Sequence, residues 1–327
     1  MNITRRHLFM GFAAWASGCI VRAQQLFRGW PWDTLVFQTT KGAGFSPVWT
    51  KTGSVLHWVW HNGTHTDSNS PTKNLQTSGT TKTIRVQSQD GFKTVTSVSM
   101  ITLSLVNAMP SFALCTALVT LDCSGNIFTG ALPSFAACTA LVTFKSGSGF
   151  SGSLPLFAAC TQLVTFHCDN ASFSGSLPSF SACTQLVTFA ANSNSFSGSL
   201  PSFAACIHLA HLTINNNSFS GTIPSFAACT ELIELFFGTP TLSNNFSDVV
   251  AGSFATQKSL ADAWFNRNAL VQSAVDQILA DFVASLSIPG RVHCTVDLTG
   301  GTNSTPSAAG LASKALLVAA GWTVTNN

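Results

Sequence analysis

One phrase of about 23 residues recurs six times between residues 109 and 247. Five copies begin almost identically, as LPSFAACTALVTF, LPLFAACTQLVTF, LPSFSACTQLVTF, LPSFAACIHLAHL and IPSFAACTELIEL. A proline holds the same place in each copy, at spacings of 23, 22, 23, 23 and 23 residues: Pro110, Pro133, Pro155, Pro178, Pro201 and Pro224. A unit this short cannot bury its own apolar face, so successive units must stack. The repeat therefore predicts a solenoid.

Apolar residues within one copy mark the positions that face the interior. In residues 132–153 these positions are Phe135, Cys138, Leu141, Phe144 and Phe150. The run Leu-Val-Thr-Phe predicts a short strand whose Phe faces in and whose Thr faces out, because successive side chains of a strand alternate. Stacking would align these strands into a parallel sheet with a spacing of about 4.8 Å.

Small and polar residues mark the turns of each copy. Asn126, Asn194 and Asn217 stand where the strand ends, and a short amide there can bond to turn backbone. Copy two lacks this asparagine and is one residue short. We expect the chain to turn back at the glycines that precede the next Leu-Pro or Ile-Pro, which are Gly130, Gly152, Gly175, Gly198 and Gly221.

These copies, with their SGSLP and SGTIP phrases, resemble the leucine-rich repeat family in its plant-type form. The resemblance covers residues 109–248 and extends more loosely to residue 327. It implies an α/β solenoid with a parallel sheet, recognition of a protein or glycan on the concave sheet face, and no catalytic residues or cofactors. The chain departs from the family pattern where Phe and Cys replace many of the leucines.

The flanking segments predict further units. Short β-like runs at 34–38, 55–60 and 81–87, with turn residues between them, predict a small all-β, sandwich-like domain over residues 24–97. Part of it, residues 58–86, is similar to polycystic-kidney-disease-like β domains. Alternation over residues 95–106 predicts the first strand of the repeats, which we place at 98–248.

Residues 249–327 predict the end of the stack. A degenerate seventh copy puts Asn268 in the repeat asparagine position. Two helix-plus-strand capping units follow, 273–285 with 292–298 and 307–320 with 322–325. Atypical terminal units are expected because an uncapped stack would leave an apolar end in water.

The first 23 residues have the layout of a bacterial export signal, with Arg5 and Arg6 before an apolar run and small residues. Their pattern resembles twin-arginine signals, whose cargo crosses the membrane folded. We expect export to the periplasm, cell surface or medium. Cys19 closes an Ala-Ser-Gly-Cys run that resembles a lipoprotein box, so lipidation there is a competing outcome to cleavage after Ala23. The apolar run is too short for a membrane span.

The charge distribution argues against nucleic acid as a partner. Removing residues 1–23 takes away three arginines and lowers the formal charge from +3 to zero. Between residues 110 and 247, Lys145 is the only Lys or Arg. Such a surface has no means of neutralising a row of phosphates.

Six of the ten cysteines share one inward column of the repeat: Cys115, Cys138, Cys160, Cys183, Cys206 and Cys229. An exported chain with many cysteines would ordinarily suggest disulfides. The shared column instead favours a ladder of small buried side chains. Neighbouring rungs would lie near 5 Å apart at Cα, so distance alone leaves bridges open.

Two outward columns of the predicted sheet are candidates for recognition. The first column contains Thr120, Thr143, Thr165, Thr188, His211 and Glu234, and the second contains Asp122, Lys145, His167, Ala190, Thr213 and Phe236. The second column changes in every copy while the neighbouring core positions barely change. We therefore predict a ligand site on the concave face formed by Asp122, Lys145, His167, His211, Thr213, Glu234 and Phe236. There are two alternatives: the second column varies by neutral drift on an unused solvated face, or the row of Thr residues in the first column orders water against ice.

Other polar groups have simpler interpretations. His57, His61 and His65 are spaced for a metal only on a helix, whereas the Trp-Val-Trp and Asn-Gly between them favour a strand and a turn. The nearby tryptophans favour a domain core over sugar stacking. His208 with Glu231, and His211 with Glu234, should be lateral neighbours. The insertion at residues 238–243 is either a lip over the sheet or a break before the cap.

The sequence therefore predicts a non-enzymatic protein that recognises a protein or surface glycan through its concave sheet. It contains no nucleophile elbow, P-loop, dinucleotide fingerprint or HExxH motif. A structural or adhesive spacer, as on a cell surface or tail fibre, is the second hypothesis. An enzyme with its site where the N-terminal domain meets the first repeat is the third.

Overall fold

A computed structural model describes residues 33–41, 44–71, 73, 81–88, 91–239, 241 and 244–327. The export signal, the cleavage point after Ala23 and the lipidation candidate Cys19 lie outside these residues. The described chain forms a β-solenoid whose coils run from an N-terminal β region to two C-terminal helix-strand units. The predicted solenoid is confirmed.

The repeats build one long main sheet of 11 strands. In it, β2 (Val48–Lys51) and β6 (Val95–Ser99) precede the repeat strands, and β20 (Asp262–Trp264), β21 (Thr295–Leu298) and β22 (Thr323–Asn326) follow them. Its repeat strands are β8 (Thr120–Asp122), β10 (Thr143–Lys145), β12 (Thr165–His167), β14 (Thr188–Ala190), β16 (His211–Thr213) and β18 (Glu234–Phe236). All of them pair in parallel, and each residue faces its counterpart 22 or 23 positions away, as Phe144 faces Phe166. Phe144 is fully buried between the two outward residues of its strand, so the predicted alternation is confirmed.

A second parallel sheet runs along the other side of each coil, and the sequence did not predict it. Its strands are β11 (Ser151–Gly152), β13 (Ser172–Gly175), β15 (Ser195–Gly198), β17 (Ser218–Ile223) and β19 (Asn245–Val249). Gly175 and Gly198 lie at strand ends with φ of 76° and 78°, a conformation that favours glycine. The recurrent glycines therefore belong to strands of this second sheet as well as to the turn.

Stacked phenylalanines fill the space between the two sheets. Rings in the same column are 5.2–5.3 Å apart beside the main sheet, from Phe144 through Phe166 to Phe189. Beside the second sheet they are 5.9–6.2 Å apart, from Phe150 through Phe173 to Phe246. The rings are thus closer together beside the main sheet, which is the spacing expected when that sheet lies on the concave side of the stack. Each ring pair adds about 0.5–1.5 kcal/mol beyond its buried area.

Asparagine side chains join successive coils at the end of the main-sheet strands. The Oδ1 atom of Asn217 accepts a hydrogen bond from the backbone N–H of Phe196 in the preceding coil, at 3.1 Å. Its Nδ2 atom donates to the carbonyls of Ala191 and Ile214, both at 3.0 Å. The same Oδ1 contact to the preceding coil recurs at Asn126, Asn194, Asn244, Asn268 and Asn303. The predicted backbone role of the asparagines, including Asn268, is confirmed.

The cysteine column lies inside the stack, as predicted. All nine described cysteines are buried free thiols. The Sγ atom of Cys206 lies 3.5 Å from the carbonyl oxygen of Phe180 in the preceding coil, and Cys229 repeats this contact with Phe203 at 3.3 Å. Burial raises the pKa of Cys206 to about 12, with a smaller contribution from Cys229.

The N-terminal residues form strands close to those expected, namely β1 (Asp33–Thr39), β2 (Val48–Lys51), β3 (His57–Val59), β4 (His65–Asp67) and β5 (Lys82–Ser88). A six-stranded sheet contains most of them, in the order β4-β3-β5-β1, followed by β7 (Leu105–Asn107) and β9 (Ile127–Phe128), and β9 belongs to the first repeat. β2 instead pairs with the first strand of the main sheet. The region shares one hydrophobic core with the repeats, so a separate sandwich-like domain is not confirmed.

The single strand predicted over residues 95–106 is wrong. The segment forms two strands, β6 (Val95–Ser99) in the main sheet and β7 (Leu105–Asn107) in the N-terminal sheet. Between them Thr102 and Ser104 adopt positive φ of 53° and 50°, which turns the chain. Asn126 stabilises this turn, because its Oδ1 atom accepts hydrogen bonds from the N–H groups of Leu103 and Leu105.

The C-terminal units follow the prediction closely. After β20 (Asp262–Trp264), helix α1 (Gln272–Ser285) leads to β21 (Thr295–Leu298), and helix α2 (Ala308–Ala319) leads to β22 (Thr323–Asn326). The side chain of Ser307 caps α2 by accepting hydrogen bonds from the N–H groups of Ala309 and Gly310. Within the described residues, no helix has both the length and the apolar character needed to cross a membrane.

Replacing Asn217 with alanine tests the asparagine contacts. Loss of the amide leaves a backbone N–H and two carbonyls in the interior without this partner, so we expect the free energy of unfolding to fall by about 2–3 kcal/mol. The matched control is Asn245→Ala, on an exposed position of the second sheet, which should change it by less than about 0.5 kcal/mol. Urea unfolding followed by circular dichroism measures both, and equal effects of the two substitutions would contradict the assignment.

Candidate functional site

The outer, concave face of the main sheet presents two columns of side chains at fixed register. The first column contains Ser97, Thr120, Thr143, Thr165, Thr188, His211, Glu234, Asp262, Thr295 and Thr323. The second column contains Ser99, Asp122, Lys145, His167, Ala190, Thr213, Phe236, Trp264, Asp297 and Thr325. Both columns are as the repeat alignment predicts, and they continue beyond the six regular copies.

The predicted site residues fall into two groups on this face. Asp122, Lys145 and His167 occupy three adjacent rungs and form an N-terminal group. His211, Thr213, Glu234 and Phe236 occupy two adjacent rungs and form a C-terminal group. The rung between the groups carries Ala190, which is buried, so it contributes little recognisable surface. All seven predicted residues are partly exposed.

Histidine and glutamate pair across neighbouring rungs, as expected. The Nδ1 atom of His211 lies 2.8 Å from a carboxylate oxygen of Glu234, and that of His208 lies 3.0 Å from Glu231. Both pairs are open to solvent, where such contacts contribute about 1 kcal/mol or less. They therefore order the surface more than they stabilise the fold.

Three further residues extend the C-terminal group, and the sequence prediction missed them. Asp262 lies beside Glu234, Trp264 lies beside Phe236, and Asp297 lies beside Trp264. The ring centroids of Phe236 and Trp264 are 4.6 Å apart with a tilt of 30°. The signal was present, because placing Asn268 in the repeat register puts Asp262 and Trp264 in the two outward columns.

The enlarged C-terminal group is acidic and aromatic. Neither column contains Lys or Arg after Lys145, whereas Glu234, Asp262 and Asp297 contribute three carboxylates. Burial acts to raise the pKa of Asp297, but hydrogen bonds outweigh it and hold this pKa below its ordinary value. The backbone N–H and the hydroxyl of Thr299 donate two of them, at 3.0 and 2.7 Å. Asp297 is thus ionised at neutral pH.

A small cavity of about 330 Å³ adjoins the N-terminal group. Lys145, Ser146, His167 and Asp169 line it together with turn residues of the first three coils. It lies where Ser148 and Ala171 replace the asparagine of the other coils. The Ser146 hydroxyl and the Nε2 atom of His167 are buried here without a hydrogen-bond partner in the described chain. Burial, followed by the charge of Lys145, lowers the pKa of His167.

Asp169 is the second titratable side chain of this cavity with a shifted pKa. Burial raises its pKa to about 6, although the backbone N–H of Asn192 donates a hydrogen bond to its carboxylate at 3.0 Å and acts in the opposite direction. The ionised side chain is therefore less favourable in the folded chain than in the unfolded one.

The remaining predicted features lie away from these two groups. His57 and His65 lie on the paired strands β3 and β4, and His61 lies in the turn between them, so the strand-and-turn interpretation is confirmed. The Nδ1 atom of His57 lies 2.6 Å from a carboxylate oxygen of Asp67. Trp49 and Trp58 are buried with rings 5.7 Å apart, as expected of core residues. The insertion at 238–243 lies partly outside the described residues, and Asn244 resumes the repeat after it.

Two further hypotheses, a metal site and an enzyme site at the N-terminal junction, concern other parts of the described structure. Across the described ranges, no three His, Cys, Asp or Glu side chains are grouped so as to hold a metal ion. At the junction suggested for an enzyme site, the ring of Phe37 packs against Trp49 at 6.2 Å and against Phe112 of the first repeat at 6.5 Å. Aromatic core occupies that junction.

Replacing Asp169 with asparagine tests the raised pKa. Because the folded pKa exceeds the unfolded one, the carboxylate lowers stability fully above about pH 6, and this penalty disappears below about pH 4, where both states are protonated. We expect Asp169→Asn to raise the free energy of unfolding by on the order of 1 kcal/mol at pH 7.5, since solvent screens a partly exposed group. The gain should vanish at pH 3.5. Urea unfolding of both proteins at the two pH values measures this, and a gain that grows on acidification would refute the shift.

Comparison with known proteins supports the fold. No protein-family model matches the chain, and no curated protein matches it. The solved structure of PEPR1-AtPEP1 is 23% identical over 60% of this chain and 27% of that chain, with a TM-score of 0.50. The LRR ectodomain of the receptor kinase GASSHO1/SCHENGEN3 from Arabidopsis thaliana is 25% identical over 62% of this chain and 24% of that one, with a TM-score of 0.49. This chain thus spans about a quarter of the length of each of these two proteins. A plant ice-binding protein aligns at 16% identity over 63% of this chain and 67% of its own, with a TM-score of 0.43. The chain has the fold of a leucine-rich-repeat solenoid.

Proposed function

We propose that this chain is an exported, non-enzymatic binding protein that holds a protein or surface glycan on the concave face of its main sheet. The observation that carries the proposal is the contrast between the second column and its neighbours. From Asp122 to Phe236 that column changes at every rung, while the buried Phe and Leu positions beside it keep the same apolar character. A face that is structurally free to vary is the place where a repeat protein can acquire specificity.

The exposure of these side chains supports the same proposal. Lys145 and His167 in the N-terminal group, and Glu234 and Phe236 in the C-terminal group, are partly exposed on one continuous sheet. A ligand lying along the stack would contact several rungs at once.

The export part of the proposal depends on the first 23 residues. Their paired arginines, apolar run and small residues support passage through a twin-arginine type of system. If processing follows the lipoprotein route, we propose that Cys19 is the lipid attachment point. Cleavage after Ala23 would instead release the mature chain from the membrane. Fractionation of cells separates the two outcomes.

A quadruple substitution, Asp122→Ala, Lys145→Ala, His167→Ala and Phe236→Ala, tests the binding face. We expect it to retain the fold, because all four positions are outward, and to lose the ligands that the immobilised wild-type chain captures. The matched control is Ser195→Ala, Ser218→Ala and Asn245→Ala, on exposed positions of the second sheet. Circular dichroism verifies folding, and binding is measured by pull-down with purified captured ligand.

The outcomes separate the hypotheses. Loss of binding in the quadruple variant, with binding retained in the control variant, supports recognition on the concave face. A folded quadruple variant that binds every captured ligand as the wild type does would refute it and favour the spacer hypothesis, in which the repeats provide only length.

A further inference from the structure

We propose that the rung of Trp264 is a recognition site for an arginine side chain of a protein ligand, with the guanidinium lying between the indole of Trp264 and the carboxylate of Asp297. This inference rests on the proposed function, because it assigns a ligand chemistry to part of the concave face. It concerns residues of the degenerate repeat and first capping unit, outside the six regular copies.

In the second column, Trp264 lies between an aromatic ring and a carboxylate. Phe236 on one side lies 4.6 Å away, ring centroid to centroid, and covers one face of the indole. On the other side the neighbouring rung carries Asp297, a much shorter side chain, at the strand spacing of about 4.8 Å. The second indole face is therefore bordered by a carboxylate and not by another ring.

The surface around Trp264 carries several acidic side chains. Asp262 lies two residues before Trp264 on the same strand, and Glu234 lies beside Asp262 on the neighbouring strand. With Asp297 they place three carboxylates around one aromatic pair, and neither outward column contains a Lys or Arg after Lys145. His211 pairs with Glu234, whereas Asp262 and Asp297 have no Lys, Arg or His beside them in the two columns. A cationic partner is the complement of this surface.

Arginine is the cation that this surface favours. A guanidinium is planar, so it stacks on an aromatic face while an N–H group at its edge donates to a carboxylate oxygen. One oxygen of Asp297 already accepts hydrogen bonds from Thr299, which leaves the other oxygen for this contact. An ammonium group offers only a point charge. The chain itself shows the stacking geometry at another place, where the guanidinium of Arg291 lies 4.4 Å from the ring centroid of Trp322.

The test uses two blocked peptides that differ only in charge. One is acetyl-Gly-Arg-Gly-Arg-Gly-amide, and in the other citrulline replaces both arginines, which keeps the shape and removes the charge. Binding to the full chain is measured by titration calorimetry at low salt. We expect the arginine peptide to bind and the citrulline peptide to bind at least about tenfold more weakly.

Substitutions in the chain assign the binding to the proposed rung. Trp264→Ala should abolish binding of the arginine peptide, and the isosteric Asp297→Asn should weaken it about tenfold. The matched control is Asp248→Asn, which removes the same charge from an exposed position on the second sheet and should leave the affinity unchanged. Circular dichroism and thermal unfolding verify folding. If Trp264→Ala does not fold, the affinity of the isosteric Asp297→Asn variant decides the test.

Several results would overturn the inference: no binding of the arginine peptide, equal binding of the citrulline peptide, or wild-type affinity in the folded Asp297→Asn variant. Binding of a neutral oligosaccharide such as cellohexaose to the Trp264 rung, in place of the peptide, would also overturn it. These results are distinct from failure of the proposed function. A captured ligand that depends on Asp122, Lys145 and His167 but not on Trp264 would leave that function standing.

Discussion

Burial of the apolar face of each coil against the next coil is the interaction on which the whole structure depends. A single copy offers one Phe in each of three positions, a Cys and two leucines, which is too little to form a closed core. In the stack, each Phe column becomes a continuous row of rings, and the Asn side chains connect the backbone of one coil to the next. The stability of the fold therefore comes from contacts between successive coils, and an outward side chain contributes little to it.

The separation of inward from outward positions gives the molecule its capacity for recognition. The fully buried Phe144, Phe166 and Phe189 keep the strands at a fixed spacing whatever their outward neighbours are. The second column can then present an ammonium group, an imidazole, a methyl group, a hydroxyl group and aromatic rings on successive rungs. Interruptions of the interior pattern also have consequences, since the cavity at Lys145 and Asp169 lies where the asparagine is missing.

Much of this architecture could be predicted from the sequence because the repeat carries its own register. Matching positions 22 or 23 residues apart identified the parallel strands, the Cys column and the His211–Glu234 neighbours without any long-range guess. The second sheet was missed because its strands are only two to six residues long and contain glycines, which are typical of turns. The split of residues 95–106 was missed because their alternation continues through the turn at Thr102 and Ser104. Asp262, Trp264 and Asp297 were missed because the outward columns were read only as far as the regular copies.

Titration of cysteine thiols tests the central claim most directly, namely that the constant residues of the repeat form the buried ladder. The account predicts that a thiol reagent at pH 8 labels none of the six column cysteines in the native protein, since they are fully buried and their pKa values lie at about 11–12. After unfolding in denaturant without reductant, all six should react. Rapid labelling of the native chain, or fewer than two free thiols on unfolding because disulfides have formed, would contradict the account.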